Sequence, residues 1–491
     1  MKNIHSFALM FFFIGLFIPI EQFCQYNHSS DISKVKVLEH INIIDIENGN
    51  ISHDMSIIIV KNRISNIGKS FNLKIPTDAI KYNCAGKFVI PGLWDMHAHS
   101  SSETNTRNII YPLFIANGIT SVRIMSADCI SPCHELSMNI SQSKQLQKEI
   151  IKGDLIGPRL ILGSNYVGGP KPGELSTIDR PGNEVDARKY VQNIKNKGVD
   201  FIKIYDMVPR DAYFSIANEA NKLHIPFAGH NPQLIKTSEA SEAGQKSIEH
   251  CCEVNFFRDC STREEELSAK FTKEYLAEKT TGINEVVYEM VKSYDKNKCI
   301  VLWQQFIKNK TYFVPTLFVE DISQSMNINW RKSKSVIYVP KNELKYWSED
   351  EVNFSNYFGK PYKEIREKRF EIVRDMQKAG VDLMAGSDCG VIGVFYGESL
   401  HEELRLLVQA GLSELEALQS ATLKPSEYNL SNDSLGKIKK SMLADLLVLD
   451  ANPLLDIRNT KRINMVISNG IFFDRNRLDK ILKNISIEAA K

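Results

Sequence analysis

Two histidines one residue apart, His97 and His99, end the run Val89-Ile90-Pro91-Gly92-Leu93-Trp94-Asp95-Met96-His97-Ala98-His99. On an extended backbone, residues i and i+2 point to the same side, so both imidazoles can reach one cation. Neutral imidazole is the commonest metal ligand at physiological pH. The pair alone is a weak signal, because a turn with two solvated histidines has the same spacing. The Pro-Gly-Leu-x-Asp-x-His-x-His context is what points to a metal.

Other residues with chemistry sit where apolar runs end. Lys203 lies between Ile202 and Ile204, His230 closes Pro226–His230, His250 closes Ser247–His250, and Asp388 follows Gly386-Ser387. Each has an ordinary explanation alone. A strand-end histidine can be a satisfied polar cap, a lysine in an apolar strand can snorkel, and an aspartate after Gly-Ser can cap a helix. Tyr205 shares a face with Lys203 and is either a substrate contact or barrel packing. Arg123 either binds a substrate carboxylate or is paired at the barrel end. His134 and His224 have no partners at metal spacing and read as surface or packing residues, while His401, on a helix-start pattern, reads as structural.

The elements that must position these groups follow from hydrophobic period. Residues 25–85 read as short β segments, among them Val35–Leu38, Ile41–Ile46 and Met55–Val60. Over 86–431 short strands alternate with helices. The strands are Phe88–Pro91, Ser121–Met125, Arg159–Gly163, Phe201–Tyr205, Pro226–His230, Ser247–His250, Tyr312–Pro315 and Leu383–Ser387. Asp186–Lys197, Pro209–Leu223 and Glu364–Ala379 carry apolar residues at three and four, the helical period. This is an α/β pattern, the arithmetic of a TIM-type (β/α)8 barrel, whose active sites lie at the carboxyl ends of the strands. Residues 432–491 return to β character and are expected to pair with 25–85 in a small β-sandwich. The largest insertions, Cys251–Lys310 and Phe318–Tyr362, follow strands six and seven and fall on the active-site face.

The ordered set His-x-His, Lys, His, His, Asp on one face resembles the amidohydrolase superfamily. Within it the chain is similar to the imidazolonepropionase-related branch, notably the secreted prolidase-like and ochratoxinase-like metallohydrolases. The resemblance runs through Pro91–His99, Asn117–Arg123, Phe201–Tyr205, Ser247–His250, Val314-Pro315-Thr316, Ala385–Asp388 and Ala444–Asp450. Relatives often continue Val-Arg with Asp-Met-Gly-Gly, whereas this chain has Ile124-Met125-Ser126-Ala127, so no role transfers to that loop.

The resemblance implies that His97, His99 and Asp388 hold one divalent metal ion and His230 and His250 a second. Zinc is the expected metal, since imidazole suits it, with manganese, iron and cobalt as alternatives. Lys203 would be N-carboxylated and bridge the two. Desolvation disfavours the ammonium of a lysine among apolar neighbours, and the neutral amine can take up carbon dioxide. Two such ions activate water and polarise a carbonyl together. Asp388 would then be the general acid and base. A mononuclear site, with His250 acting on substrate and Lys203 structural, is the family's other form. The implied activity is hydrolysis of a C–N bond in a small amide substrate, a dipeptide or N-acyl amino acid. Alternatives are a cyclic amide, such as a lactam or imidazolone-type ring, and a non-catalytic binding protein on the same fold.

The net charge of +2 lacks the basic field that a nucleic-acid partner needs. Lys2 followed by the apolar run Phe7–Ile20 reads as a signal peptide over 1–24, too short to span a bilayer, so the expected chain is exported and keeps no membrane span. Export permits disulfides among the eight cysteines beyond Cys24. Cys129 can close a loop with Cys133, and Cys251 or Cys252 with Cys260. Whether copies associate as a homo-oligomer is left open by the sequence.

Overall fold

The computed structural model describes residues 34–169, 178–250, 254–276, 280–324, 330–348 and 363–491. The expected signal peptide, Cys251 and Cys252 lie outside them. In chain order the strands are β1 (Lys36–Ile44), β2 (Ile51–Val60), β3 (Arg63–Lys69), β4 (Ile80–Asn83), β5 (Phe88–Pro91), β6 (Leu93–Ala98), β7 (Ile119–Ile124) and β8 (Arg159–Val167). They continue with β9 (Ile178–Asp179), β10 (Phe201–Ile204), β11 (Phe227–Gly229), β12 (Ser247–Glu249), β13 (Tyr312–Val314), β14 (Leu446–Leu449), β15 (Ile463–Ser468) and β16 (Ile471–Asp474).

Both chain ends contribute to one continuous sheet, ordered β16-β15-β14-β5-β1-β2-β3, with β4 on β1. Period-2 alternation turns Leu38, Ile57 and Ile59 to the same core as Val89, Leu446 and Ile467. Tyr82 of β4 stacks on Phe472 of β16 with ring centroids 5.0 Å apart, so the sheet curls over that core. The expected union of the two β-rich ends therefore takes the form of a single sheet.

The second sheet is parallel, ordered β6-β7-β8-β10-β11-β12-β13. Its strands are buried on both faces and read as continuous apolar runs; every residue of β7 is buried. Helices such as Glu184–Lys197, Arg210–Lys222 and Lys363–Ala379 connect and cover it, close to the spans expected.

Two strand expectations need correction. Phe88–Pro91 is not the first strand of the parallel sheet: it pairs with β1 and β14 in the other one. The chain changes sheets at Gly92, whose N–H donates to Asp445 O, and Leu93 N–H then donates to Gly118 O. A Cβ at Gly92 would lie 2.2 Å from Thr120 Oγ1, so only glycine fits the crossing. His97 thus lies inside β6, with His99 just beyond it. The expected strand Leu383–Ser387 forms only isolated bridges. Met384 N–H donates to Phe313 O on one side, and Met96 N–H donates to Ala385 O on the other. The segment therefore fills the gap between β13 and β6 without a regular ladder.

The insertion after β12 contains the helices Val254–Asp259, Glu264–Leu276, Thr280–Lys292 and Lys296–Asn309. Cys260 is joined to Cys299 across it, not to Cys251 or Cys252. Cys129 and Cys133, whose spacing permits a loop, do pair. In the insertion after β13, Trp330, Val339 and Trp347 pack on Ile392 and Phe395, in the loop that follows Asp388. No helix among the described residues is long and apolar enough to cross a membrane.

Candidate metal centre

The carboxyl ends of β6, β10, β11 and β12, with the segment after β13, bring the predicted residues together. Asp388 Oδ1 lies 2.8 Å from His99 Nε2 and 3.3 Å from His97 Nε2. Asp388 Oδ2 lies 4.0 Å from His250 Nδ1. The His250 ring sits 4.6 Å from the His97 ring and 4.6 Å from the His230 ring, centroid to centroid. Lys203, fully buried in β10, pairs with Ala228 of β11, the strand that leads into His230.

The backbone is bent to allow this. His250, Thr316 and Asp388 have φ values of 66°, 45° and 59°, a left-handed conformation that non-glycine residues rarely adopt. Such strain clusters at functional sites, where the surrounding structure holds it in place. Here each instance falls where an extended segment ends at the site.

Electrostatics favour cation binding. Burial, reinforced by Lys203 and the neighbouring histidines, holds His97 and His230 well below their ordinary pKa. Burial likewise pulls His250 down to about 4. These imidazoles are neutral at physiological pH, the form that ligates. Burial pushes the Asp388 carboxyl up, but its hydrogen bond with His99, together with the nearby His250 and Lys203, outweighs that and holds it below the ordinary carboxylate value. Neutral imidazoles around a carboxylate are a donor set that fits zinc or another divalent transition metal. The tightest group is His97, His250 and Asp388, whose ligand atoms lie within 4.8 Å of one another. It crosses the expected division of ligands between two ions.

Residues 88–472 match the amidohydrolase family. This chain belongs to it. No curated protein sequence matches significantly. Among solved structures the fold is similar to a putative prolidase from Bifidobacterium longum, at 21% identity and TM-score 0.63, covering 92% of this chain and 99% of that one. A Xaa-Pro dipeptidase with methionine bound in its active site is 19% identical at TM-score 0.61, over 90% of this chain and 100% of that one. The A. niger ochratoxinase is 16% identical at TM-score 0.59, over 90% and 96%. At these identities the likeness is one of fold.

The weaker sequence candidates take different places in this amidohydrolase. The Tyr205 ring lies 4.7 Å from the His230 ring and 5.0 Å from that of Tyr166, at the edge of the centre. Arg123 is buried inside the parallel sheet. It donates to Met96 O, to the hydroxyls of Ser247 and Tyr428, and to Glu249 Oε1, so its guanidinium is engaged by the protein itself. Of its two possible roles, the geometry gives it pairing. His401 is also structural, buried with Nε2 against Asn117 O and Nδ1 against Thr460 Oγ1.

Three residues around the ligands escaped sequence reasoning. Glu249 Oε2 lies 3.1 Å from His97 Nδ1, Tyr166 Oη 3.2 Å from His99 Nδ1, and Thr316 Oγ1 2.8 Å from His250 Nδ1. Tyr166 was hidden because the expected strand stops at Gly163, whereas β8 runs on to Val167. A faint signal for Thr316 existed in the Val314-Pro315-Thr316 motif.

Proposed function

We propose that this amidohydrolase is an exported, metal-dependent enzyme that hydrolyses the C–N bond of a small amide, a dipeptide or an N-acyl amino acid. The observation that carries the reading is the convergence of His97, His99, His250 and Asp388 on one buried space reached by Lys203 and His230. In the preferred form, the seven parallel strands and segment 382–389 act as a closed (β/α)8 barrel around two divalent ions. His97, His99 and Asp388 would hold one ion and His230 and His250 the other, with an N-carboxylated Lys203 as a ligand shared between them. The prolidase and dipeptidase among the structural neighbours support the peptide-like substrate class. The two disulfides accord with an oxidising compartment and hence with export.

Bound divalent metal supplies a Lewis acid that polarises the carbonyl and makes water a nucleophile near neutral pH. The protein's own groups do the rest. Asp388, ionised, takes the proton of the attacking water and returns it to the leaving nitrogen. Tyr205 and Tyr166 wall the centre on the His230 and His99 sides, and the Trp330–Trp347 cover packs the loop beyond Asp388 against bulk water.

A second reading, a single ion held by His97, His250 and Asp388, draws support from the close spacing of those three. Elemental analysis of the purified protein beside Lys203→Ala separates the two. About two metals per chain, falling sharply in the variant, supports the bridged pair and directs assays to dipeptides and N-acyl amino acids. One metal per chain in both proteins sinks the bridge. Full metal loading with no turnover of any amide would sink the enzyme reading.

A further inference from the structure

We infer that Glu249 is a positioning residue, a buried carboxylate that fixes which nitrogen of His97 faces a metal and raises its donor strength. The inference rests on the metal-dependent reading above. Glu249 is fully buried, and its two oxygens do different work. Oε1 accepts from Arg123 at 2.7 Å and from the Ser247 hydroxyl at 2.5 Å. Oε2 lies 3.1 Å from His97 Nδ1.

An ionised carboxylate can only accept, so the proton of His97 must sit on Nδ1. That leaves the Nε2 lone pair directed at Asp388 Oδ1, 3.3 Å away. A carboxylate behind a ligating imidazole also makes it more basic and a stronger donor. The other two histidines differ. Apart from Asp388, His99 and His250 meet the hydroxyls of Tyr166 and Thr316, which can donate or accept and by themselves impose no tautomer. Among these three, His97 alone has a carboxylate other than Asp388 at its ring.

Arg123 completes the device. Its Nη2 neutralises Glu249, and its Nε donates at 2.7 Å to Met96 O, in the residue before His97. One guanidinium therefore anchors both the backbone that carries the ligand and the carboxylate behind it. A buried ion pair is weak evidence for stability, since an apolar pair often serves as well. Its placement behind a ligand is what gives it a function.

The test uses the full chain loaded with zinc or cobalt, with affinity read by chelator competition. Glu249→Gln alone strands the Arg123 charge, so the working variant is Arg123→Met/Glu249→Gln, checked for fold by circular dichroism. We expect metal affinity to drop ten- to a hundredfold and the cobalt absorption bands to shift, beyond any change in the melting temperature of the metal-free protein. A folded double variant with affinity within about twofold of wild type and an unchanged cobalt spectrum would overturn the inference. Nitrogen-15 NMR of the wild-type zinc form reads the tautomer whether or not the variant folds: a proton on Nδ1 of His97 supports the role, and one on Nε2 refutes it. A wild-type chain that takes up no metal defeats the metal-centre reading itself, an outcome distinct from the other two.

Discussion

The Asp95 carboxylate accepts the Ser387 hydroxyl at 2.5 Å and the Ser387 N–H at 2.9 Å, tying β6 to the segment that carries Asp388. The same carboxylate accepts the N–H of His97 at 3.2 Å. Two proposed ligands from distant parts of the chain thus hang on one buried side chain. Ser387→Ala removes the hydroxyl and leaves Asp95 Oδ2 only the weak contact with Cys389 Sγ at 4.0 Å. We expect a loss of about 1–3 kcal/mol in urea unfolding, together with weaker metal retention. A variant as stable as wild type would show that this bond does not hold the seam.

Asp388→Asn separates proton transfer from backbone geometry. Asparagine tolerates the left-handed conformation at position 388, where φ is 59°, so the loop is kept. The amide cannot accept and return a proton. On a dipeptide or N-acyl amino acid that the wild type cleaves, kcat should fall by about 10²–10⁴. A loss below tenfold would remove Asp388 from the proton-transfer step.

Burial holds His401 at a pKa of about 4, against about 6.5 in an unfolded chain. A histidine depressed in the folded state stabilises it fully above the unfolded value, and that stability is lost as pH falls towards the folded one. Between pH 7 and pH 5 the wild type should lose about 2 kcal/mol through this residue. His401→Gln should flatten that part of the stability–pH curve in denaturant titrations. An unchanged slope would mean that other groups govern acid sensitivity.

Cys260 and Cys299 are 39 residues apart, and their bond closes the helical insertion on itself. Replacing both by serine should cost roughly 4 kcal/mol in the oxidised protein, from the freed chain entropy of a loop that long. The expected readout is a lower chemical midpoint that wild type matches once a reductant is added. If reduction leaves wild type unchanged, the bridge is absent from the folded protein.

The proposed histidine and aspartate ligands were legible in the sequence because each sits at the polar end of an apolar run, and Lys203 because it interrupts one, patterns that survive without knowledge of neighbours. Glu249 was not. Strand alternation predicts that Glu249 and His250 face opposite sides, but the left-handed turn at His250 brings both to the interior. The partners of Glu249, Arg123 and His97, are far away in sequence, so an acidic residue beside a ligand looked like any other carboxylate. Phe88–Pro91 misled for a related reason. An apolar run before Pro-Gly has no local mark of which sheet it joins, and tertiary pairing with β14 decided it. The partner of Cys260 was equally beyond reach, since spacing does not fix connectivity.

β5 is flanked by β1 from the beginning of the chain and by β14 from near its end, and one residue, Gly92, separates it from the strand holding His97. β14 is made only after every strand of the parallel sheet. Until then one edge of β5 has no neighbour, the start of β6 lacks the Asp445 anchor, and contacts of such long sequence separation form late. The nascent chain therefore cannot assemble the centre piecemeal. The strand that carries His97 is completed only when β14 has docked, so the two-ended sheet and the proposed centre form together.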